Sequence, residues 1–447
     1  MRVAWFSPMP PVRSGIAACS AELVPALRAQ PAISAVDVFV DEPVAAANAL
    51  VHSAHQFPWR HREIPYDLIV YQLGNSSHHD YLWPYLFRFP GLTVLHDPHL
   101  HHARAAVLLR TRRYADYRAE FAANHPDSPA EAAELAVSGF DSHLYYMWPM
   151  VRLVVQASKL SAVHSREMAD RLRSDCGNDR IECLRLSQGT LVPKERERAA
   201  RRDVRAHYQI AADAVTFGCF GGLTPDKRLP QILDAFRALR AYVPEARLML
   251  AGAQVEHYDL MADVRDRELQ DSVVVTGYVE TDEQLTDCIA AVDVTLNLRW
   301  PTARELSGPW LRSLAAGKPS IVMDVLQLVD VPTLDPRTWS KNAGGAAPEQ
   351  QPVAVAIDIL DEDHSLRLAM KRLAEDAELR QTLGAAAQSY WTREHSPEAM
   401  LADYLRLMAA ARAMPAPRGS LPEHLVDDGT RLLQRLVAPF GIAAPLG

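Results

Sequence analysis

The 447-residue chain predicts an α/β protein of two doubly wound, Rossmann-like domains, each built on a parallel sheet. Three observations carry this. Short apolar runs rich in β-branched residues recur along the chain, each followed by a loop holding Gly, Pro or Asp and then by helical spacing. The length exceeds what one ordinary core supports. Loops bearing Gly or Ser fall at strand ends in both halves, and the carboxyl edge of a parallel sheet is where such folds bind ligands.

In the first half, Val3 to Phe6 reads as a strand, Ser7 to Gly15 as a proline-rich loop and Ile16 to Gln30 as a helix. GxGxxG is absent, so this is not the dinucleotide fingerprint. Val36 to Val40 and Leu68 to Tyr71 read as strands, and Leu92 to Leu95 as a further one that delivers His96-Asp97-Pro98 to the carboxyl edge. His96 is the first residue off its strand, whereas His99, His101 and His102 fall where a helix begins; their spacing leaves a metal cluster as a minor alternative. Ala103 to Arg118 is helical, and its Arg104, Arg110, Arg112, Arg113 and Arg118 form either a solvated face or a patch for an anionic acceptor or membrane. Val154 to Val163 and Glu182 to Leu186 read as strands. Lys194 to Arg202 is charged without an apolar stripe and reads as the interdomain linker.

In the second half, Val215 to Phe220 is a strand and Gly221-Gly-Leu-Thr-Pro-Asp-Lys-Arg228 is a loop opening a helix over Leu229 to Leu239. Two glycines and Lys227 beside a helix start form either a phosphate cradle or a plain turn with a solvated lysine. Arg247 to Ala251 and Val273 to Thr276 are strands, and Asp282 to Ala291 is a helix. Val294 to Leu298 is a strand ending at Arg299; Ser307 caps a short helix with Pro309 in its first turn, and Gly317-Lys-Pro319 stops it before the strand Ser320 to Met323. The amides of Ser307 and Gly308 and the positive helix end form an anion site. Glu305, just outside it, would repel a phosphate and so either suits sugar hydroxyls or is a solvated loop residue, with Gly308 then only a tight turn. Val353 to Asp358 is a last strand, followed by helices over Asp363 to Ala374, Ala377 to Arg393 and Met400 to Ala411. Beyond Pro415, Leu425, Leu432, Leu433, Leu436 and Phe440 share a stripe that docks on the body or meets a membrane or partner.

Composition narrows the function. Apolar residues make up 48% and charged residues 23%, the balance of a globular protein. The net charge of −8 argues against coating nucleic acid. Five scattered cysteines without a CxxC pair suggest neither a disulfide framework nor a zinc site, and fit a reducing cytosol. No signal-peptide core or membrane span is expected.

FGCFGGLTPDKRLPQILDAF, RLMLAGA, VVVTGYV, AAVDVTLNLR, Glu305 and LAAGKPSIV resemble the carboxyl-terminal domain of retaining GT-B glycosyltransferases of the group 1 type. FSPMPPVRSGIA, YQLGNSSHHDYL and PGLTVLHDPHLHH resemble a bacterial branch that builds cell-surface polysaccharides, so the resemblance spans residues 1–412. It implies a GT-B fold whose two domains face a central cleft. Residues 1–200, joined by helices at 397–414, would hold a glycan, lipid-linked or other hydroxyl acceptor; residues 206–396 would hold a nucleotide-sugar donor; residues 415–447 form a tail.

Lys227 would bind the donor diphosphate, Glu305 the sugar hydroxyls and the Leu306-Ser307-Gly308 segment the phosphates, while Gly15 lines the cleft and His96 faces the reacting sugar. The resemblance implies neither cofactor nor metal, and a cytoplasmic protein, with peripheral contact at the inner membrane face left open. Two positions depart. Gly222 stands where many relatives have Arg, a charge that Arg228 or Arg299 could supply. Ser313 stands where many have a second Glu, leaving ribose recognition unassigned. These departures keep a catalytically inactive binding or scaffold subunit as the alternative; a nicotinamide dehydrogenase is disfavoured by the absent fingerprint.

Overall fold

The computed structural model describes residues 1–42, 51–140, 144–256, 258–302, 306–342 and 349–441. The chain divides into two compact units, one of residues 1–163, 169–182 and 404 onward, the other of residues 164–168 and 183–403.

The first unit is organised on a seven-stranded sheet. Its order across the sheet is Val51–Ser53, Ala35–Val40, Arg2–Phe6, Leu68–Leu73, Leu92–Leu95, Leu160–Val163 and Ile181–Cys183. The central strands pair in parallel, with Phe6 beside Tyr71 and Gln72 beside Val94. Strands buried on both faces need continuous apolar runs, which is why LIVYQL is buried throughout. Phe6 packs between Phe39, Phe57 and Tyr71 at centroid distances of 5.1 to 5.2 Å. The second unit repeats the plan in the order Val273–Gly277, Arg247–Ala251, Thr216–Phe220, Val294–Asn297, Ser320–Met323, Ala354–Ile357 and Thr333–Leu334. One face buries Phe217, Leu248, Leu296 and Ile321 beneath the helices Leu229–Arg240 and Glu362–Glu375. The other buries Phe220, Met249 and Ile289. Each such side chain contributes about 1.5–3 kcal/mol.

Several expectations are corrected. Lys194 to Arg202 is no linker: it belongs to the helix Lys194–His207 of the second unit. That helix docks through arginines instead of an apolar stripe. Arg205, 3% exposed, donates to the Ala291 carbonyl and pairs with Asp293 at 2.8 Å. The run read as a strand from Val154 begins as the helix Arg152–Ala157, and only Leu160–Val163 is extended. Extended backbone at Glu182 stops at Cys183. The helix read over Ala103 to Arg118 is two, His101–Arg110 and Tyr114–Asn124, broken where Arg112 takes φ +59°. Its arginines are mostly spoken for. Arg104 is buried, lies 4.2 Å over the Trp83 ring and forks onto Glu120; Arg113 pairs with Asp116 and Arg118 with Glu134.

The tail meets the first unit through polar contacts, with Leu425 and Leu433 of its stripe half-buried and the other three stripe residues exposed. His424 meets Glu120 at 2.8 Å and Arg88 meets Asp428 at 2.6 Å, while Leu432, Leu436 and Phe440 are 54%, 60% and 79% exposed. Among the described residues no helix is long and apolar enough to cross a membrane.

Candidate functional site

At the carboxyl edge of the second sheet, the strand Thr216–Phe220 runs into Gly221, whose φ of +84° suits glycine. A Cβ there would lie 3.1 Å from Lys227 Nζ and 3.3 Å from Pro309 Cγ. Gly221 therefore sits between the two stretches read as phosphate cradles and brings them to one place. Gly252 closes the packing from behind, since a Cβ on it would meet the Gly221 carbonyl oxygen at 2.1 Å. A 3-10 turn, Pro225–Lys227, turns the lysine inward, where it is 5% exposed and donates to the Phe220 carbonyl.

Asp226 ties the neighbouring loop to this turn. Its carboxylate pairs with Arg299 at 2.6 Å and its carbonyl accepts the Trp300 N–H at 2.7 Å. Arg299 is thereby tied to the turn that carries Lys227. The helix Gly308–Ala315 starts at Ser307, whose hydroxyl makes no capping bond. Its first-turn amides are of the kind that bind anions. A pocket opens beside Ser307, lined also by Asn297, Arg299, Trp310 and Gln327. Trp310 is 1% exposed, and its Nε1 is buried without a partner among the described residues.

Other assigned residues lie elsewhere or do other work. Arg228 holds Glu362 in a forked ion pair, with Nε to Oε1 at 2.7 Å, so its charge is directed away from the cradle. Gly222 is exposed and a Cβ there would meet nothing within 4 Å; the constrained glycine is its neighbour Gly221. Gly308 packs against the Gln188 amide, whose Oε1 would lie 2.2 Å from an added Cβ and would have to move. Leu306 is half-buried. Ser313 is fully buried and donates to the Pro309 carbonyl at 2.8 Å, turned into its own helix. Glu305 lies outside the described residues.

The first sheet presents a second cluster at its own carboxyl edge. Ser14 caps the helix Gly15–Arg28 by accepting the Ala17 N–H at 3.0 Å, and Ile16 packs against Gly74. A Cβ on Gly74 would lie 2.6 Å from Ile16 Cδ1, 2.9 Å from His79 Nε2 and 3.1 Å from Asp97 Oδ2. So the Gly15 loop and His96-Asp97 converge there. Asp97 accepts the Asn75 N–H at 2.7 Å. His96 is 9% exposed, donates its backbone N–H to the Leu73 carbonyl at 2.9 Å, and sets Nε2 2.8 Å from Gln72 Oε1.

The other histidines have separate partners: His101 meets the Tyr117 hydroxyl at 2.7 Å and His102 the Asn75 amide at 3.1 Å. Burial pushes His79 and His99 down to about 4 and His101 to about 3, so they stand neutral. Among the described residues no group of three His, Cys, Asp or Glu is arranged to hold a metal.

Sequence reasoning missed Asp226, Gln188 and Trp310. The first was legible as a carboxylate next to the cradle lysine; the other two carry no local signal.

Residues 214–357 match the family Glycosyl transferases group 1. No curated protein matches the sequence. Among solved structures, the catalytic domain of starch synthase IV from Arabidopsis thaliana, bound to ADP and acarbose, is similar with a TM-score of 0.61 at 13% identity, covering 92% of this chain and 99% of that one. An E. coli trehalose-6-phosphate structure bound with UDP-2-fluoro glucose gives 0.55 at 11%, covering 94% and 100%. WaaG, a glycosyltransferase involved in lipopolysaccharide biosynthesis, gives 0.54 at 14%, covering 90% and 99%. The fold is GT-B, and the family match within the second unit supports glycosyl transfer.

Proposed function

We propose that the chain is a retaining, metal-independent glycosyltransferase that moves a sugar from a nucleotide-sugar donor to a glycan, lipid-linked or other hydroxyl acceptor. The observation that carries this reading is Gly221 with Lys227 Nζ on one side and Pro309, at the start of the helix Gly308–Ala315, on the other. An ammonium and a helix N-terminus converging on one glycine suit a diphosphate. The family match covers Lys227, Arg299, Ser307 and Gly308, and two similar structures hold ADP or a UDP-sugar.

In this reading Lys227 and the amides at Ser307 and Gly308 hold the diphosphate, Arg299 adds a charge, and Glu305 receives the sugar hydroxyls. Gly15 and His96, in the first unit, face the acceptor and the reacting sugar. As the glycosidic bond breaks, negative charge grows on the leaving diphosphate and positive charge on the sugar carbon. Fixed donors at the diphosphate therefore stabilise the transition state more than the ground state. The acceptor hydroxyl attacks from the face that the diphosphate leaves and gives its proton to the departing phosphate oxygen, so the anomeric configuration is retained. No protein nucleophile is used, and Lys227 with a helix end does what Mg²⁺ does elsewhere. A bacterial polysaccharide role at the cytoplasmic side fits the resemblance of the N-terminal motifs.

Thermal shift against UDP-, GDP-, dTDP- and ADP-sugars tests the reading. The cognate donor, at a hundred times its Kd, adds about 2.7 kcal/mol of stability. A panel in which no nucleotide sugar shifts the transition, or in which Lys227→Ala responds as the parent does, overturns it.

A further inference from the structure

The helix Pro397–Ala413 carries Tyr404, which belongs to the first unit and is fully buried against the Trp5 ring at 5.5 Å. Its hydroxyl donates to Gln72 Oε1 at 3.0 Å, the same oxygen that lies 2.8 Å from His96 Nε2. We propose that Tyr404 and Gln72 are positioning residues that fix the His96 ring as its Nε2–H tautomer, with Nδ1 as the ring's acceptor. This rests on the reading above that His96 works at the reacting sugar.

The tautomer follows from counting hydrogens. A carbonyl oxygen has two acceptor sites and no hydrogen to give. Burial raises the Tyr404 ionisation well above its usual range, so the phenol keeps its proton and donates. The second approach to Oε1 must then also come from a donor, the Nε2–H of His96. Turning the amide round would set an N–H against His96 but leave the Tyr404 proton without its acceptor.

The arrangement has a cost that a purely structural core would avoid. Gln72 Nε2 is buried without a partner among the described residues, inside a residue only 1% exposed. Unsatisfied buried donors are rare and collect at functional positions. Gln72 is itself fixed, because it lies on the strand Leu68–Leu73 and its carbonyl faces His79 Nδ1 at 3.0 Å. The titratable groups around the trio are His79, held neutral by burial, Asp97, which accepts the Asn75 N–H, and the buried Cys19 near Tyr404.

Three variants and one spectrum of the full chain test this. Tyr404→Phe keeps the ring on Trp5 and removes one donor. It should lower kcat roughly 10- to 100-fold, the loss typical of outer partners of working imidazoles at metal sites, with KM for the donor unchanged. Gln72→Glu still accepts both hydrogens but places a negative charge beside Nε2. It should move the acidic limb of the kcat profile up by about one pH unit or more, which a merely structural role would not do. His96→Ala separates the two readings: full activity defeats the role of His96 itself. Loss of activity there, with Tyr404→Phe and Gln72→Glu both normal in kcat and pH profile, overturns the positioning proposal alone. Should Gln72→Glu fail to fold, ¹⁵N-histidine spectra of the parent decide, because a His96 Nδ1–H tautomer also overturns it.

Discussion

Arg228 and Glu362 lock together as a fork, Nε donating to Oε1 at 2.7 Å and Nη2 to Oε2, with the carboxylate residue only 9% exposed. The pair joins the start of the helix Leu229–Arg240 to the start of Glu362–Glu375. The Nε and Nη2 donors of Arg228 serve Glu362, which sets an ion pair in competition with the phosphate role that its position suggests. Arg228→Ala should cost about 1.5–3 kcal/mol in urea unfolding, the usual value of charged hydrogen bonds, and leave nucleoside-diphosphate affinity unchanged. A loss of affinity comparable to that of Lys227→Ala would return Arg228 to the site.

Lys227→Ala removes the ammonium beside Gly221 and should cut turnover by roughly 10²- to 10³-fold, as losing one such donor does. Free nucleoside diphosphate should bind more weakly as well. Glu305→Gln should reduce transfer while leaving that affinity intact or slightly better, because a negative charge near phosphate is gone. Calorimetry with the nucleoside diphosphate separates the two; equal weakening would dissolve the division of labour.

On the proposed reading transfer should continue in excess EDTA, since Lys227 and the helix amides would carry the leaving-group charge. Complete loss that Mg²⁺ or Mn²⁺ restores would contradict the cradle.

The two adjacent glycines should behave oppositely. Gly221→Ala forces a side chain into φ +84° and sets it 3.1 Å from Lys227 Nζ. It should lose about 1–2 kcal/mol together with nucleotide affinity. Gly222→Ala meets open space and should stay within about 0.5 kcal/mol of the parent. Chemical denaturation of both variants checks this, and a reversed order would mean the loop is packed differently.

Acid should weaken the fold before most carboxylates titrate. Burial holds His79, His164 and His395 down at about 4 in the folded chain. Unfolded histidine titrates near 6.5, so as pH falls the unfolded chain takes up protons first. The stability of the neutral rings is complete above about pH 6.5 and is lost progressively toward about pH 4, at up to about 1.4 kcal/mol per pH unit for each. Urea midpoints at pH 7 and pH 5 report it. An unchanged midpoint would show that these rings charge without unfolding.

Both sheets were legible because parallel strands buried on two faces must be short and apolar, as in Leu92–Leu95 and Ala354–Ile357. What escaped was polar burial. The helix Lys194–His207 lacks an apolar stripe because Arg205 and Ala200 take the buried positions. The proposed cradle rests on its glycines and lysine, yet which glycine is constrained depends on Pro309 and Gly252, neither of which is near in sequence. Gln72, His96 and Tyr404 meet over a separation of 332 residues between the first and the last, and no local spacing announces that.

The first unit is assembled from three separate stretches of chain, and its last stretch supplies Tyr404 to the core and His424 to Glu120. No single cut therefore frees it. A fragment ending near residue 200 would strip the cover from Trp5 and leave Gln72 with one donor fewer. By contrast, the bulk of the second unit, residues 183–403, is continuous, and only residues 164–168 come to it from elsewhere. Exchanging that unit between relatives is then a matter of junctions at 182/183 and 403/404 with residues 164–168 carried along, and everything beyond the second junction kept from the parent of the first unit.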